Sequence, residues 1–193
     1  MTPLQFLQDH PIAVVIVLCE IGLWILLGLG LVLRYPARQK RLGGIVLLMI
    51  PLLDVVLVVA TAIDLAGGAT FDVTHGLAGI YLGFSVAFGP AIVRWADARF
   101  AHRFAGGPAP VKPRIRAEKQ SALWKEWYRV VIAAAIASGA FLLLMLLATD
   151  GNAVESLWWW IGRVWVVVAF WLLFGPVWGA RQDSEGARGS SRP

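Results

Sequence analysis

Three ionisable residues interrupt long apolar stretches of this 193-residue chain: Glu20, Asp54 and Arg163. Asp54 stands in the middle of the apolar run "LLMIPLLDVVLVVATAIDL". On insertion scales a charged side chain near the centre of a membrane helix costs about 2.5–3.5 kcal/mol, so such residues face inward and pair with one another. Two acids and one base at similar depth, estimated from the helical rise, predict a buried intramembrane cluster of all three residues.

Such a cluster is compatible with two roles. Buried polar groups can fix the order and register of helices, which is a structural role. Intramembrane ionisable groups also form proton and ion pathways, and Pro51, three residues before Asp54, predicts a kink beside this carboxyl. Both hypotheses are retained at this point.

A second pair, Asp64 and His75, lies at the facing ends of two apolar segments, where we expect an interfacial hydrogen bond. A metal site is disfavoured because metals usually take three or four ligands, and the chain has only 3 His. Asp72 would supplement the pair only weakly. The single Cys19 excludes an internal disulfide and a cysteine-based metal cluster.

Other chemistry finds little support in the sequence. His10 and His102 lie outside the apolar segments and on opposite sides, which disfavours a haem held by two His. No motif places a base beside Ser85, Ser138 or Thr61, so we interpret these hydroxyls as packing or back-bonding groups. We therefore expect no cofactor, no metal and no enzymatic activity.

The elements that must position these residues are membrane helices. The chain is 59% hydrophobic and 15% charged, with mean hydropathy +0.71, whereas soluble domains carry about 25% charged residues. A helix needs roughly 20 residues to cross a hydrocarbon core of about 30 Å. Five apolar segments meet this length, and none shows strand-like alternation. They span approximately 12–33, 44–64, 76–94, 130–149 and 157–178. We predict one all-α membrane domain, residues 1–180, and a disordered polar tail, residues 181–193.

The basic residues predict the orientation of this domain. Sixteen of the 17 Lys and Arg residues fall in the loop after the first segment, in the stretch 94–129 and in the tail. The opposite loops carry only acids. The positive-inside rule then places the N-terminus outside and the C-terminus in the cytoplasm. This distribution also accounts for the net charge of +5, so a nucleic-acid partner is not needed.

The predicted cytoplasmic basic loop, 95–129, has three parts, and the first part continues the third helix into the cytoplasm. The segment "GGPAPVKP" is a breaker with extended character, and "RIRAEKQSALWKEWYR" is helical in pattern, with aromatic residues for the membrane interface. This amphipathic helix is suited to anionic lipid headgroups, but we favour the interpretation that its charges set the topology. Within the third segment, Gly76, Gly79 and Gly83 form a stripe that predicts close helix packing.

The block "HGLAGIYLGFSVAFGPAIVRWADARFAHRFAGGPAPVKP", together with "PLLDVVLVVATAIDL" before it, resembles a family of small bacterial integral membrane proteins labelled YmcC-like. The resemblance covers about half of the chain; the fourth and fifth segments match it less clearly. It implies a bacterial cytoplasmic (inner) membrane location and no catalytic role.

Three interpretations of function follow, and a membrane enzyme is the least favoured because no nucleophile, metal or cofactor motif is present. The first is a structural or accessory protein that packs through its Gly and Ala stripes against other membrane proteins, with copies of itself as an alternative partner. The second is a small oligomeric proton- or ion-coupled carrier that uses Glu20, Asp54 and Arg163. A water-filled cavity reaching Asp54 would favour the carrier, and a dry, packed site would favour the accessory role.

Overall fold

The computed structural model describes residues 11–104, 106–109 and 116–178, without the side chains of 11–13, 16, 20, 104 and 116. Five α-helices make up nearly all of this part: α1 (Pro11–Arg34), α2 (Lys40–Ala66), α3 (Val73–Phe104), α4 (Arg116–Leu147) and α5 (Gly151–Leu172). A π-helical turn, Leu173–Val177, continues α5. Each of the five is long and apolar enough to cross a membrane. The prediction of an all-α protein with five membrane helices is confirmed for the described residues; the tail 181–193 lies outside them.

The two ends of the bundle differ in charge. We call the end with the α2–α3 and α4–α5 connections the acidic end, because it carries Asp64, Asp72, Asp150 and Glu155. The other, the basic end, holds the short α1–α2 connection and the facing ends of α3 and α4.

Helices α3 and α4 are longer at the basic end than the apolar segments predicted. Helix α3 continues to Phe104, ten residues past the end of its apolar segment at position 94, so the predicted continuation of this helix is confirmed. Helix α4 begins at Arg116, so the predicted amphipathic helix and the fourth span form one continuous helix. Hydropathy locates the part of a helix that lies in lipid, and polar turns can extend that helix into water.

The core occupies the half of the bundle nearer the acidic end. Phe141 and Leu144 of α4 and Leu157 of α5 are fully buried there, together with Leu65 of α2. Ala78 of α3 is also fully buried in this cluster. Large side chains from α2, α4 and α5 thus close around the small residues of α3.

The glycine stripe of α3 explains how the helices approach so closely. A Cβ atom on Gly83 would lie 2.3 Å from the carbonyl oxygen of Ala133 in α4, and one on Gly79 would lie 2.5 Å from the Phe141 ring. On Gly76 it would lie 2.3 Å from the indole of Trp160 in α5. The predicted close packing of Gly79 and Gly83 against another helix is confirmed.

The three prolines within the helices have different consequences. Pro51 and Pro90 lie inside continuous α-helices, α2 and α3. At Pro176 the backbone widens into the π-helical turn, an adjustment that accommodates a residue without an N–H donor. The carbonyl of Pro176 accepts a hydrogen bond of 2.9 Å from Nε2 of Gln120, which ties this turn to α4.

Candidate functional site

Asp54 lies on the interior face of α2 and is 1% exposed. The apolar side chains of Leu57 and Val58 are buried nearby on the same helix. The thiol of Cys19 in α1 and the hydroxyl of Ser85 in α3 are close enough to interact with the carboxyl. Asp54 is therefore enclosed by three helices, as a buried intramembrane acid was predicted to be.

The predicted pairing of Asp54 with Arg163 is wrong. Arg163 is an exposed residue of α5, and the carbon of its guanidinium group lies 5.6 Å from the centroid of the Trp160 ring. No ion pair among the described side chains involves Asp54 or Arg163. The rise per residue gives depth along a helix and says nothing about direction around it, so equal depth did not imply contact. The side chain of Glu20 lies outside the described residues, and its place in the cluster stays a prediction.

Two buried polar atoms on α2 have no hydrogen-bond partner among the described residues: Oδ2 of Asp54 and Oγ1 of Thr61. Seven residues are close to two helical turns, so both side chains lie on one side of the helix. Thr61 is fully buried. Buried polar atoms are normally paired, and an unpaired one calls for a physical explanation such as an ordered water or a partner. Ser85, by contrast, back-bonds to the carbonyl of Leu82 at 3.2 Å, as its interpretation predicted.

At the acidic end, the predicted contact between Asp64 and His75 is present. The Nε2 atom of His75 lies 2.9 Å from Oδ2 of Asp64, and the imidazole is buried with 2% exposure. Asp72 approaches the other nitrogen: its backbone N is 3.0 Å from Nδ1, and its Oδ1 atom is 2.9 Å from Nδ1. A neutral ring accepts the Asp72 N–H at Nδ1 and donates from Nε2 to Asp64, whereas a protonated ring donates to both carboxylates.

The two carboxylates flank opposite nitrogens of the ring, so they do not converge on one point. In the described part of the chain, no three His, Cys, Asp or Glu side chains are arranged to hold a metal ion. The second contact, to Asp72, was considered in the sequence only as a weak metal ligand. The sequence signal for this contact is an acid, Asp72, three residues before His75 at the start of a helix, because an Asp at this position is typical of a helix N-cap.

Asp72 caps the first turn of α3. Its Oδ1 atom accepts hydrogen bonds from the backbone N of Thr74 at 2.8 Å and of His75 at 3.2 Å, and from the Thr74 hydroxyl. Burial acts to raise the pKa of Asp72, but these donors and the neighbouring His75 outweigh it and hold the pKa below its usual range. The carboxylate form thus stabilises the helix start that carries His75.

A third polar group, at the basic end, was missed in the sequence. Nε of Arg34 donates to Oδ1 of Asp97 at 2.7 Å, and Nη2 donates to Oδ2 of the same carboxylate. Beside this pair, the rings of Tyr35 and Phe100 stack with centroids 4.3 Å apart. In the sequence, Arg34 counts only among the basic residues of the loop after the first segment, which set the topology. The available signal was Asp97 itself, a lone acid in the basic stretch "RWADARFAHR".

Two clefts lie side by side on α5 at the acidic end. The first, of about 470 Å³, is lined by Gly151, Val154, Glu155, Trp158 and Trp159. The second, of about 320 Å³, is lined by Phe71, Ser156, Trp159, Trp160 and Arg163. Neither of these two clefts includes Asp54, and the second includes Arg163.

Five apolar helices of spanning length, an intramembrane carboxyl and tryptophans at the helix ends define a polytopic helical membrane protein in contact with the lipid bilayer. The chain is 35% identical over 147 residues to the uncharacterised membrane protein YmcC of Bacillus subtilis (strain 168). The aligned region covers 76% of this chain and 79% of the relative. It therefore belongs to the YmcC family, and the resemblance predicted from the sequence is confirmed. No protein-family model matches the chain, and no solved structure matches it.

Proposed function

We propose that this protein is an accessory component of the bacterial cytoplasmic membrane that acts by packing against other membrane proteins, and that it is neither an enzyme nor a solute carrier. The observation that carries the proposal is the enclosure of Asp54. This residue is 1% exposed, and it lines neither of the two clefts. A carrier needs water to reach its intramembrane ionisable group from alternating sides. A carboxyl enclosed by packed helices supports a structural interior.

The outward surface supports a role in packing. In the most apolar stretch of α5, only 11% is buried within the bundle, whereas 28% of the corresponding stretch of α4 is buried. On this outward surface, stacked rings run from Phe170 to Phe174, with centroids 6.1 Å apart, and from Phe174 to Trp178, at 5.8 Å. An aromatic row of this kind offers a large contact area to a helix of another protein.

Site-specific photocrosslinking in cells tests the accessory role. A photoreactive phenylalanine analogue at Phe174 is expected to give discrete adducts that contain a second membrane protein. The same analogue at Phe141, which is 0% exposed, is the matched control and is expected to give no intermolecular adduct. Adducts at Phe174 that contain only lipid, or only a second copy of this chain, would contradict the proposal.

The orientation and the charge of the basic end belong to the same proposal. The positive-inside rule supports an external N-terminus and a cytoplasmic C-terminus, with the basic end in the cytoplasm. In that orientation, the Arg and Lys side chains at the start of α4 lie near the inner leaflet, where contact with anionic headgroups remains a prediction.

A proton-coupled carrier is the second candidate, and one observation favours it. Oδ2 of Asp54 and Oγ1 of Thr61 are both buried without partners on one side of α2, and Asp64 lies further along this helix at the acidic end. Water molecules at the two orphan atoms would form a polar row from the acidic end to the middle of the bundle. Proton flux that depends on Asp54 distinguishes this candidate from the accessory role.

A further inference from the structure

The second cleft of α5, which we call the Arg163 cleft, has the composition of a lipid-headgroup site. We propose that it binds the phosphodiester of a membrane phospholipid, with Arg163 as the cationic partner of the phosphate. This inference stands independently of the accessory role, because the ligand is a lipid and the cleft does not include the aromatic row of Phe170, Phe174 and Trp178.

Arg163 carries a charge that no carboxylate among the described side chains neutralises. It is exposed, no carboxylate of the described residues pairs with it, and its contact there is with the face of Trp160 at 5.6 Å. A cation on an apolar membrane helix is costly unless an anion or water reaches it. The cation–π contact orients the guanidinium but leaves its N–H donors available for an anion.

The position of the cleft brings phosphate within reach. Side chains of an α-helix lean toward its N-terminus, and α5 begins at the acidic end, so the Arg163 side chain extends toward that end. The cleft there is bordered by Trp159 and Trp160. Tryptophans mark the level of the headgroups, and long basic side chains near this level extend toward phosphates.

The remaining lining suits a headgroup. Ser156, about two turns closer to the helix start, supplies a hydroxyl that can donate to a phosphate oxygen. Phe71 and Trp159 provide apolar walls for the glycerol region. A cleft of about 320 Å³ is at the small end of ligand pockets, so it admits a polar head while the acyl chains stay in the bilayer.

The charges around the cleft favour a lipid over a free anion. Asp72 and Glu155 lie at the same end of the bundle, where they oppose a small anion from solution. A phosphatidylethanolamine head has no net charge and presents an ammonium group to these acids. Its phosphate is also held at the right depth by its acyl chains, so the entropic cost of binding is reduced.

Native mass spectrometry of the detergent-purified protein, titrated with dioleoylphosphatidylethanolamine, tests the proposal. Arg163→Gln is expected to weaken lipid binding about tenfold, the size of a charge-assisted hydrogen bond, and Arg163→Lys is expected to weaken it less. Arg99→Gln is the matched control, because the guanidinium carbon of Arg99 lies 4.6 Å from the Trp95 ring centroid on α3. This control is expected to bind the lipid as the wild type does.

Thermal melting in detergent establishes that each variant is folded, and Ser156→Ala provides a second test if Arg163→Gln fails to fold. Unchanged lipid binding in the folded Arg163→Gln variant, or an equal loss in Arg99→Gln, would overturn the proposal. Competition by inorganic phosphate at concentrations similar to those of the lipid would also overturn it, because it would identify a free-anion site. Retained binding in Ser156→Ala, where that test is used, would likewise count against it.

Discussion

Arg34 and Asp97 join α1 to α3 through two parallel hydrogen bonds between residues 63 positions apart in the chain. Their side chains are 15% and 30% exposed, so the pair is only partly screened by solvent. Nη1 of Arg34 also donates to the carbonyl of Lys40, the first residue of α2, at 3.0 Å. One guanidinium thus connects three helices at the basic end, where Gly30 and Gly43 allow α1 and α2 to approach closely.

This geometry predicts that the two residues are energetically coupled. Arg34→Gln and Asp97→Asn should each destabilise the protein, and the double variant should lose less than the sum of the two. The expected coupling is about 0.5–3 kcal/mol, since bidentate pairs are strong and partial exposure weakens them. Unfolding in detergent measures all four proteins. Strictly additive losses would show that the contact contributes nothing specific.

The packing of α3 on α4 predicts opposite effects at two glycines of the same helix. Gly83→Ala should destabilise by about 1–3 kcal/mol, because the added Cβ meets the Ala133 carbonyl oxygen at 2.3 Å, and backbone cannot move aside cheaply. Gly89→Ala is the control: nothing lies within 4 Å of its Cβ position, and alanine favours helix by about 0.5–1 kcal/mol. The melting temperatures of the two variants measure this difference. Equal effects of Gly83→Ala and Gly89→Ala would contradict the close contact between Gly83 and α4.

The cap at the start of α3 predicts a pH dependence. The pKa of Asp72 is lowered in the folded protein, so its carboxylate contributes stability above the unfolded pKa of about 3.9, and this contribution is lost as pH falls through the folded pKa. Asp72→Asn keeps a good capping side chain and removes the charge. The wild type should exceed the variant by about 0.3–1 kcal/mol at pH 7, the usual value of an acid at a helix N-terminus.

The check is a series of melting curves for both proteins from pH 7 down to acid pH. The difference between them should shrink as the pH approaches and passes below the folded pKa. A difference that stays constant down to the lowest pH would mean that the Asp72 charge is not stabilised by the helix start.

The proposed orientation predicts the labelling of single cysteines. Cys19 is the only cysteine and is buried, so Cys19→Ser provides a background. A cysteine at Arg38, in the α1–α2 connection, should react with a membrane-impermeant maleimide only in opened cells. A cysteine at Thr70, in the α2–α3 connection, should react in intact cells. The reverse pattern would invert the topology.

The sequence predicted the features that depend on composition along one helix. Apolar length identified five spans, and small residues at helical spacing identified the face of α3 that meets α4. The burial of Asp54 followed from the cost of exposing a carboxyl to lipid. Each inference used local information, and tertiary packing agreed with it.

Relations between helices were harder to predict. Asp54 and Arg163 were grouped by depth, but Arg163 projects from the outside of α5, and one sequence does not fix how a helix is rotated about its axis. Asp97 was overlooked because its partner, Arg34, looked like one of many topology charges.

Proton flux into liposomes reconstituted with the purified protein decides whether Asp54 is enclosed and serves the packing of the bundle. A pH-sensitive dye inside the vesicles, under an imposed potential, reports the flux for the wild type and for Asp54→Asn. We expect both proteins to give the same rate as protein-free vesicles. Flux in the wild type that Asp54→Asn abolishes would show that protons reach Asp54 and would support the carrier instead.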